Sequence, residues 1–404
     1  MADQNHQIEQ EIRNEIKRAK KVPKRWKKDY SARTVLLVLL LLALLGTVGY
    51  LGYRGVDSAD GIRRMLSYNK IEQSVDGRVE AFRYDSDRSA SYAMLGDALL
   101  VVSTTRIQLL ALGGDELWSK TVNFTNPAMT RGSKTAAVYD VGGQDIYVFN
   151  ERGLLRDMSG ESGNGILSAS LNDSDYLALT TLKSGYRTAV TAYNASGEPV
   201  FTFNSSERYL SEARVLDDNR HLAAVTLGEA DGVFASTLTF YAFDREESVS
   251  DTTFRGEMVL ALDSVGGKLS VLVDGRVMLF DADGSLSGSR RFEYPYLRSV
   301  TTDGDGFAAL LLSRYRSGGA LRLMTLDSEG GVPGTLDERR EVVDVSAAGR
   351  YVAVLYSGSL TIFRSDLSVY ATLESTEFAK RVIMRPDGTA LLLGASRAWL
   401  FIPE

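Results

Sequence analysis

MVLALD (258–263), KLSVLVD (268–274), RVMLFD (276–281) and LSGSRRFE (286–293) follow one another with only SVGG, a single Gly and ADGS between them. The runs are six to eight residues long, apolar or alternating, and the spacers are Gly and Asp turn residues. Four such segments in succession read as four antiparallel strands joined by hairpins.

Outward in both directions the unit returns. The second-strand run recurs as ALLVVS at 98, KTAAVYD at 134, DYLALTTL at 175 and RHLAAVTL at 220, then as GFAALLLS at 306, GRYVAVLYS at 349 and GTALLLG at 388. The third strand of each unit ends at Leu112, Phe149, Tyr193, Phe243, Phe280, Leu326, Phe363 or Phe401, at intervals of 37, 44, 50, 37, 46, 37 and 38 residues. A mean near 41 belongs to four-stranded propeller blades and exceeds leucine-rich and β-helix periods. The expected fold is therefore all-β: an eight-bladed β-propeller over residues 78–404. The eighth unit runs out after its third strand, and RVEAFRY (Arg78–Tyr84) is a strand without a blade. As the outer strand of blade 8 it closes the ring and removes an open edge.

These units resemble the broad WD-repeat, YVTN-type and quinoprotein-like propeller superfamily. ALGGDELW (Ala111–Trp118) is similar to a quinoprotein blade turn, in which a strand ends, a Gly turn follows and Trp opens the outer strand; LFDADGSLSG (279–288) and TLDSEGGVPG (325–334) are variants without the Trp. No blade pairs Gly-His with Trp-Asp. Together with the N-terminal features below, the plan resembles an uncharacterised family of single-pass, membrane-anchored β-propellers of Gram-positive bacteria. That likeness implies an envelope location and carries over no functional residue.

Before the propeller, charge is unevenly placed. Residues 1–33 carry ten basic and five acidic side chains, net +5, which leaves −11 for the rest of a chain whose total is −6. Between Arg33 and Arg54 lie 20 uncharged residues, TVLLVLLLLALLGTVGYLGY. As a helix they span about 30 Å, one bilayer crossing. Lys24, Arg25, Lys27, Lys28 and Arg33 crowd the N-terminal flank, so the N-terminus is expected in the cytoplasm and residues 54–404 outside. The long basic lead and the missing A-x-A-like site favour an uncleaved signal anchor over a cleaved signal peptide. The expected organisation is a partly helical basic tail (1–33), with Ile8, Ile12, Ile16 and Ala19 on one helical face, a transmembrane helix (34–53), a juxtamembrane linker (54–77) and the propeller.

Composition narrows the chemistry. There is no Cys and there are only two His, which removes disulfides, thiolate metal sites and nearly all imidazole catalysis. G-x-S-x-G, G-x-x-x-x-G-K-[ST] and H-E-x-x-H are all absent. DADGS (281–285) and DGDGF (303–307) offer oxygens to a hard cation, but neither has the closing Glu of a calcium loop and both suit hairpin turns. No cofactor or metal is expected, and an acidic ectodomain opposes nucleic acid. The expectation is a non-catalytic platform binding a protein or cell-wall polymer. A glycan-binding or ligand-sensing module is the alternative, and a carboxylate-based hydrolase or lyase a further one.

Loop lengths locate the candidate surface. In an up-and-down blade with strands A to D from inside out, B–C and D–A connections share one face of the disc. The B–C segments of blade 3 (182–187), blade 4 (228–236) and blade 6 (313–319) are the long ones, and the D–A segment 291–298 lies between the last two. They bring Tyr186, Arg187, Phe234, Tyr294, Tyr296, Arg314, Tyr315 and Arg316 to one rim, in the Tyr and Arg mixture that dominates binding hot spots.

Overall fold

The computed structural model describes residues 82–160 and 163–403 continuously, with 13, 36, 37, 41, 61, 64, 68, 74 and 77–79 besides. The chain divides into two compact units, Met1–Ile62 and Arg63–Glu404. In the first, the expected tail and membrane span lie outside the described residues apart from Arg13, Leu36, Leu37 and Leu41, all helical and exposed. Among the described residues no helix is long and apolar enough to cross a membrane.

The second unit holds eight antiparallel four-stranded sheets, seven of them with their strands in sequence order. Blades 1 to 7 span 91–121, 127–157, 166–205, 209–255, 259–291, 296–338 and 342–374. Blade 8 takes its three inner strands from 381–401 and its outer strand from Phe82–Arg83. There Phe82 pairs with Ala398 and Arg83 with Arg397. The Arg78–Phe401 bridge and the hydrogen bonds from Val79 N to Leu400 O (2.9 Å) and Tyr84 N to Ser396 O (3.1 Å) extend the contact on both sides. Sequence-distant ends thus share one sheet, and the circle has no open seam.

Burial follows the strand letter. Strand B is buried throughout in blades such as 1 (Ala98–Val102), 6 (Phe307–Ser313) and 7 (Tyr351–Tyr356), because both of its faces meet neighbouring blades. Outer strands such as Leu286–Arg291 are largely exposed and polar. The core is accordingly eight clusters, one per blade interface. Phe240 and Phe280 join blades 4 and 5, Leu310 and Leu279 join 5 and 6, and Leu400 and Leu99 join 8 and 1.

Strand A faces the central channel, so its free edge has N–H groups without a ladder partner. Side chains of the preceding blade accept from several of them. Leu171 N donates to Thr130 Oγ1 (3.1 Å), Ala347 N to Thr301 Oγ1 (3.2 Å), Met384 N to Ser346 Oγ (3.0 Å) and Val382 N to Asp344 Oδ2 (2.9 Å). A register shift interrupts strand A in blades 3 to 7. Such a bulge bends the inner strand and re-aims the residues after it.

Candidate functional site

On the B–C and D–A face, Tyr186, Phe234, Tyr296 and Tyr315 are 41 to 54 % exposed. Their supports differ. In blade 4 the segment 228–236, expected as a long loop, is instead an extension of the sheet: strands His221–Ala230 and Val233–Ala242 are ten residues each and meet at Asp231-Gly232. Both turn residues have positive φ, 52° and 78°, the requirement of the tight hairpin turn that fits strand twist and that Asp-Gly meets. Phe234 is therefore carried on paired backbone, opposite Glu229. The Arg255–Asp231 ion pair at 2.7 Å ties the hairpin tip to strand D.

The other rim residues divide into free and engaged groups. Arg187 lies 5.1 Å over the ring of Tyr209. Tyr294 is half-buried against the interface of blades 5 and 6, with the Arg322 guanidinium 4.4 Å above its ring. Arg322 is held by Asp337 (2.7 and 3.1 Å) and by Glu293. Arg314, Tyr315 and Arg316 sit on the seven-residue connection that follows Ser313, whose Oγ donates to Tyr315 O (2.7 Å) and Gly319 O (3.1 Å). The Arg314 and Arg316 guanidiniums are exposed and make no hydrogen bond or ion pair among the described residues.

The channel carries polar groups that, Asp303 of the DGDGF turn apart, the sequence did not single out. A cavity of about 1050 Å³ is walled by the inner strands of blades 1, 2, 7 and 8. Arg131 of blade 2 forms an ion pair with Asp303, beyond strand A of blade 6. Arg214, buried on strand A of blade 4, donates to Ser170 Oγ of blade 3 (3.2 Å) and pairs with Asp263 of blade 5 (3.2 Å). Ser264 Oγ donates to Asp217 Oδ2 at 2.5 Å. Burial, reinforced by Asp217, pushes Asp173 above the usual carboxylate range. Burial likewise pushes Glu212 up to about 7, against the Leu262 N–H that stabilises its anion. In sequence these residues sit beside the Asp, Asn and Gly of the A–B turns, and turn chemistry masks them. The visible signal was an acidic residue closing strand A in consecutive blades: Asp173, Asp217, Asp263 and Asp303.

On the opposite face, two residues that precede the propeller are bolted to the ring. Arg64 and Tyr68 are helical and buried, one turn apart. Arg64 donates to Asp387 O (2.7 Å) and to the Tyr370 hydroxyl (2.5 Å), reaching blades 8 and 7. The Tyr68 hydroxyl donates to Asp387 Oδ2 (3.0 Å) and accepts from Arg385, which also binds Asp97 of blade 1. This contact crosses the ring closure and sets Tyr68 in the wall of the channel cavity.

Other sequence candidates resolve into turns. His221 Nδ1 is 2.5 Å from Asp218 Oδ2 at the mouth of its own strand. In 281–285 the Asp283 carboxylate accepts from Ser285 N (2.9 Å) and Oγ (2.6 Å), and Asp281 pairs with Lys268 at 3.0 Å. Among the described residues no three His, Asp or Glu side chains gather closely enough to hold a metal.

Comparison with solved structures returns β-propellers. The C-terminal WD40 domain of Sif2 aligns with a TM-score of 0.52 at 11 % identity, over 83 % of this chain and 99 % of that one. A eukaryotic initiation factor aligns at 0.50 and 14 % identity, over 81 % and 85 %. BamB from Moraxella catarrhalis aligns at 0.49 and 14 % identity, over 80 % and 99 %. At these identities the likeness establishes the fold alone. No curated protein is detectably similar in sequence. Residues 68–369, most of the propeller and the Tyr68 anchor included, match one family throughout, and the chain belongs to it: DUF5711, a family of unknown function.

Proposed function

We propose that this protein is a membrane-anchored, extracytoplasmic interaction platform, non-catalytic, which holds a protein or cell-wall partner on the B–C and D–A face of its propeller. The observation that carries the reading is the exposed set Tyr186, Phe234, Tyr296 and Tyr315 on one face, two of them on structured supports. Aromatic side chains presented with little rotamer freedom, beside unengaged arginines, are the usual energetic centres of interfaces. The anchoring half of the reading draws on the 20 uncharged residues 34–53 and their basic flank. It also draws on the exposed helical leucines 36, 37 and 41, which present apolar surface that lipid would cover.

The test is photo-crosslinking in native membranes from a reactive side chain in place of Phe234 or Tyr315, with Arg152 on the opposite face as the comparison site. Adducts from the first two positions, abolished when the other three of Tyr186, Phe234, Tyr296 and Tyr315 are replaced by Ala in a protein that still folds, support the assignment. Adducts from position 152 alone refute it.

A further inference from the structure

On that same face, a cleft of about 520 Å³ opens between blades 6 and 7. Its walls include Arg298 on strand A of blade 6, Arg339 and Arg340 on the D–A connection, and Arg381. Arg340 is taken up by Glu338 (2.8 Å) and Arg381 by Asp344 (3.3 Å). Arg298 and Arg339 are not: both are exposed, and their side chains make no hydrogen bond or ion pair among the described residues. The connection that supplies Arg314 and Arg316 ends in Gly318, Gly319 and Ala320, which line the same cleft. Two unengaged guanidiniums, Arg298 and Arg339, therefore line one opening together with Arg340 and Arg381, and the unengaged Arg314 and Arg316 belong to the connection whose end borders it; Glu341 is the acid of the lining without a hydrogen bond or ion pair among the described residues, on a chain of net charge −6. General basicity cannot account for that excess. Like charges brought together cost the fold stability, and a bound anion removes the cost.

Resting on the reading of this face as the binding surface, we infer that the cleft binds an anionic saccharide polymer. One oxyanion engages one or two guanidinium forks. Two free forks in the cleft, on strand A and the D–A connection, with two more on the adjoining B–C loop, suit a ligand with several anionic groups in series. The cleft volume is that of an ordinary ligand site. Tyr296 and Tyr315, both half-exposed, supply flat apolar faces for rings beside those charges. At Gly318 and Gly319 an added Cβ would meet nothing within 4 Å, so the backbone there is open to a flat ring. An acidic peptide fits less well. Peptide side chains are held by filling apolar pockets, whereas Val343 is the one exposed large apolar residue of this cleft among those described.

The experiment titrates the full chain in detergent against phosphomannan, polygalacturonate, neutral mannan and polyglutamate of matched charge. Binding to phosphomannan or polygalacturonate, at least about tenfold tighter than to mannan or polyglutamate, is expected; the better of the two identifies phosphate or carboxylate as the source of the charge. Arg298→Glu with Arg339→Glu should weaken it by about tenfold or more. Arg152→Glu with Arg220→Glu, which make the same charge change on the opposite face, should leave it unaltered. The Arg298→Ala and Arg339→Ala pair repeats the measurement without charge reversal, and melting curves check folding. Equal binding of polyglutamate, no binding of either anionic glycan, or equal loss in the opposite-face pair would overturn the inference. Tyr186→Ala, in a chain carrying the photoreactive side chain at position 234, separates it from the broader reading. That change should weaken crosslinks from blade 4 and spare glycan binding. Crosslinks that survive while glycan binding is absent defeat the cleft alone.

Discussion

Replacing Glu212 by Gln should stabilise the propeller in alkaline solution and do nothing in acid. Glu212 follows the bulge in strand A of blade 4 and packs towards blade 5. Burial raises its pKa from 4.5 to about 7; Asp263 adds to the effect, while the Leu262 N–H and Arg214 oppose it. An acid whose folded-state pKa is raised holds its proton more tightly when folded. Its contribution is fully present below about 4.5 and is lost as pH rises through about 7. A rise from 4.5 to about 7, at about 1.4 kcal/mol for each tenfold change in proton affinity, corresponds to about 3 kcal/mol of stability lost by pH 8.5. Gln keeps an oxygen for the Leu262 N–H and carries no charge at any pH, so it escapes the loss. With an unfolding entropy of about 2 cal/mol/K per residue over roughly 340 residues, 3 kcal/mol is about 4 °C in Tm. The assay is a pair of thermal melts of wild type and Glu212→Gln at pH 4.0 and 8.5. The difference should be near zero at the first and about 4 °C in favour of the variant at the second. A difference that is the same at both values means folding leaves the Glu212 pKa unraised, and the account of this seam is wrong.

Deleting residues 78–84 should strip blade 8 of its outer strand and the 8/1 interface of Phe82 and Tyr84; aggregation or a lowered Tm is expected, and unchanged stability would contradict the closure. Phe82→Ala alone should cost about 3 kcal/mol or more, measured by denaturant titration. Arg64→Ala with Tyr68→Phe should remove the contacts to Asp387 and Tyr370 and make the chain at Arg64 and Tyr68 more sensitive to limited proteolysis while the propeller core stays resistant. External protease on spheroplasts should remove residues beyond about 54 and spare the N-terminal tail, as the basic flank requires; a tail cut from outside would reverse the orientation.

The architecture was legible because a propeller repeats one local rule. KLSVLVD, GRYVAVLYS and their counterparts are continuous apolar runs because strand B is buried on both faces in every blade, and the turn residues between runs are set by backbone conformation alone. Local pattern also marked RVEAFRY as a strand in search of a sheet, since seven unpaired residues beside an incomplete blade have one way to bury an edge. What escaped the sequence depends on which residues the ring brings together. Arg131 and Asp303 are 172 positions apart, Tyr68 and Arg385 more than 300, and nothing in their neighbourhoods distinguishes them from ordinary turn polarity. The extent of the blade 4 hairpin was hidden for a different reason. GEADGVFAS has loop-like composition, and only the ladder from Leu227↔Ser236 to Ala230↔Val233 turns it into strand. Pairing along a chain is a property of short segments, and these segments carry it openly. Pairing across a closed circle arises only when the last blade meets the first, and so the charged contacts of the channel, the anchor and the cleft were decided by tertiary structure.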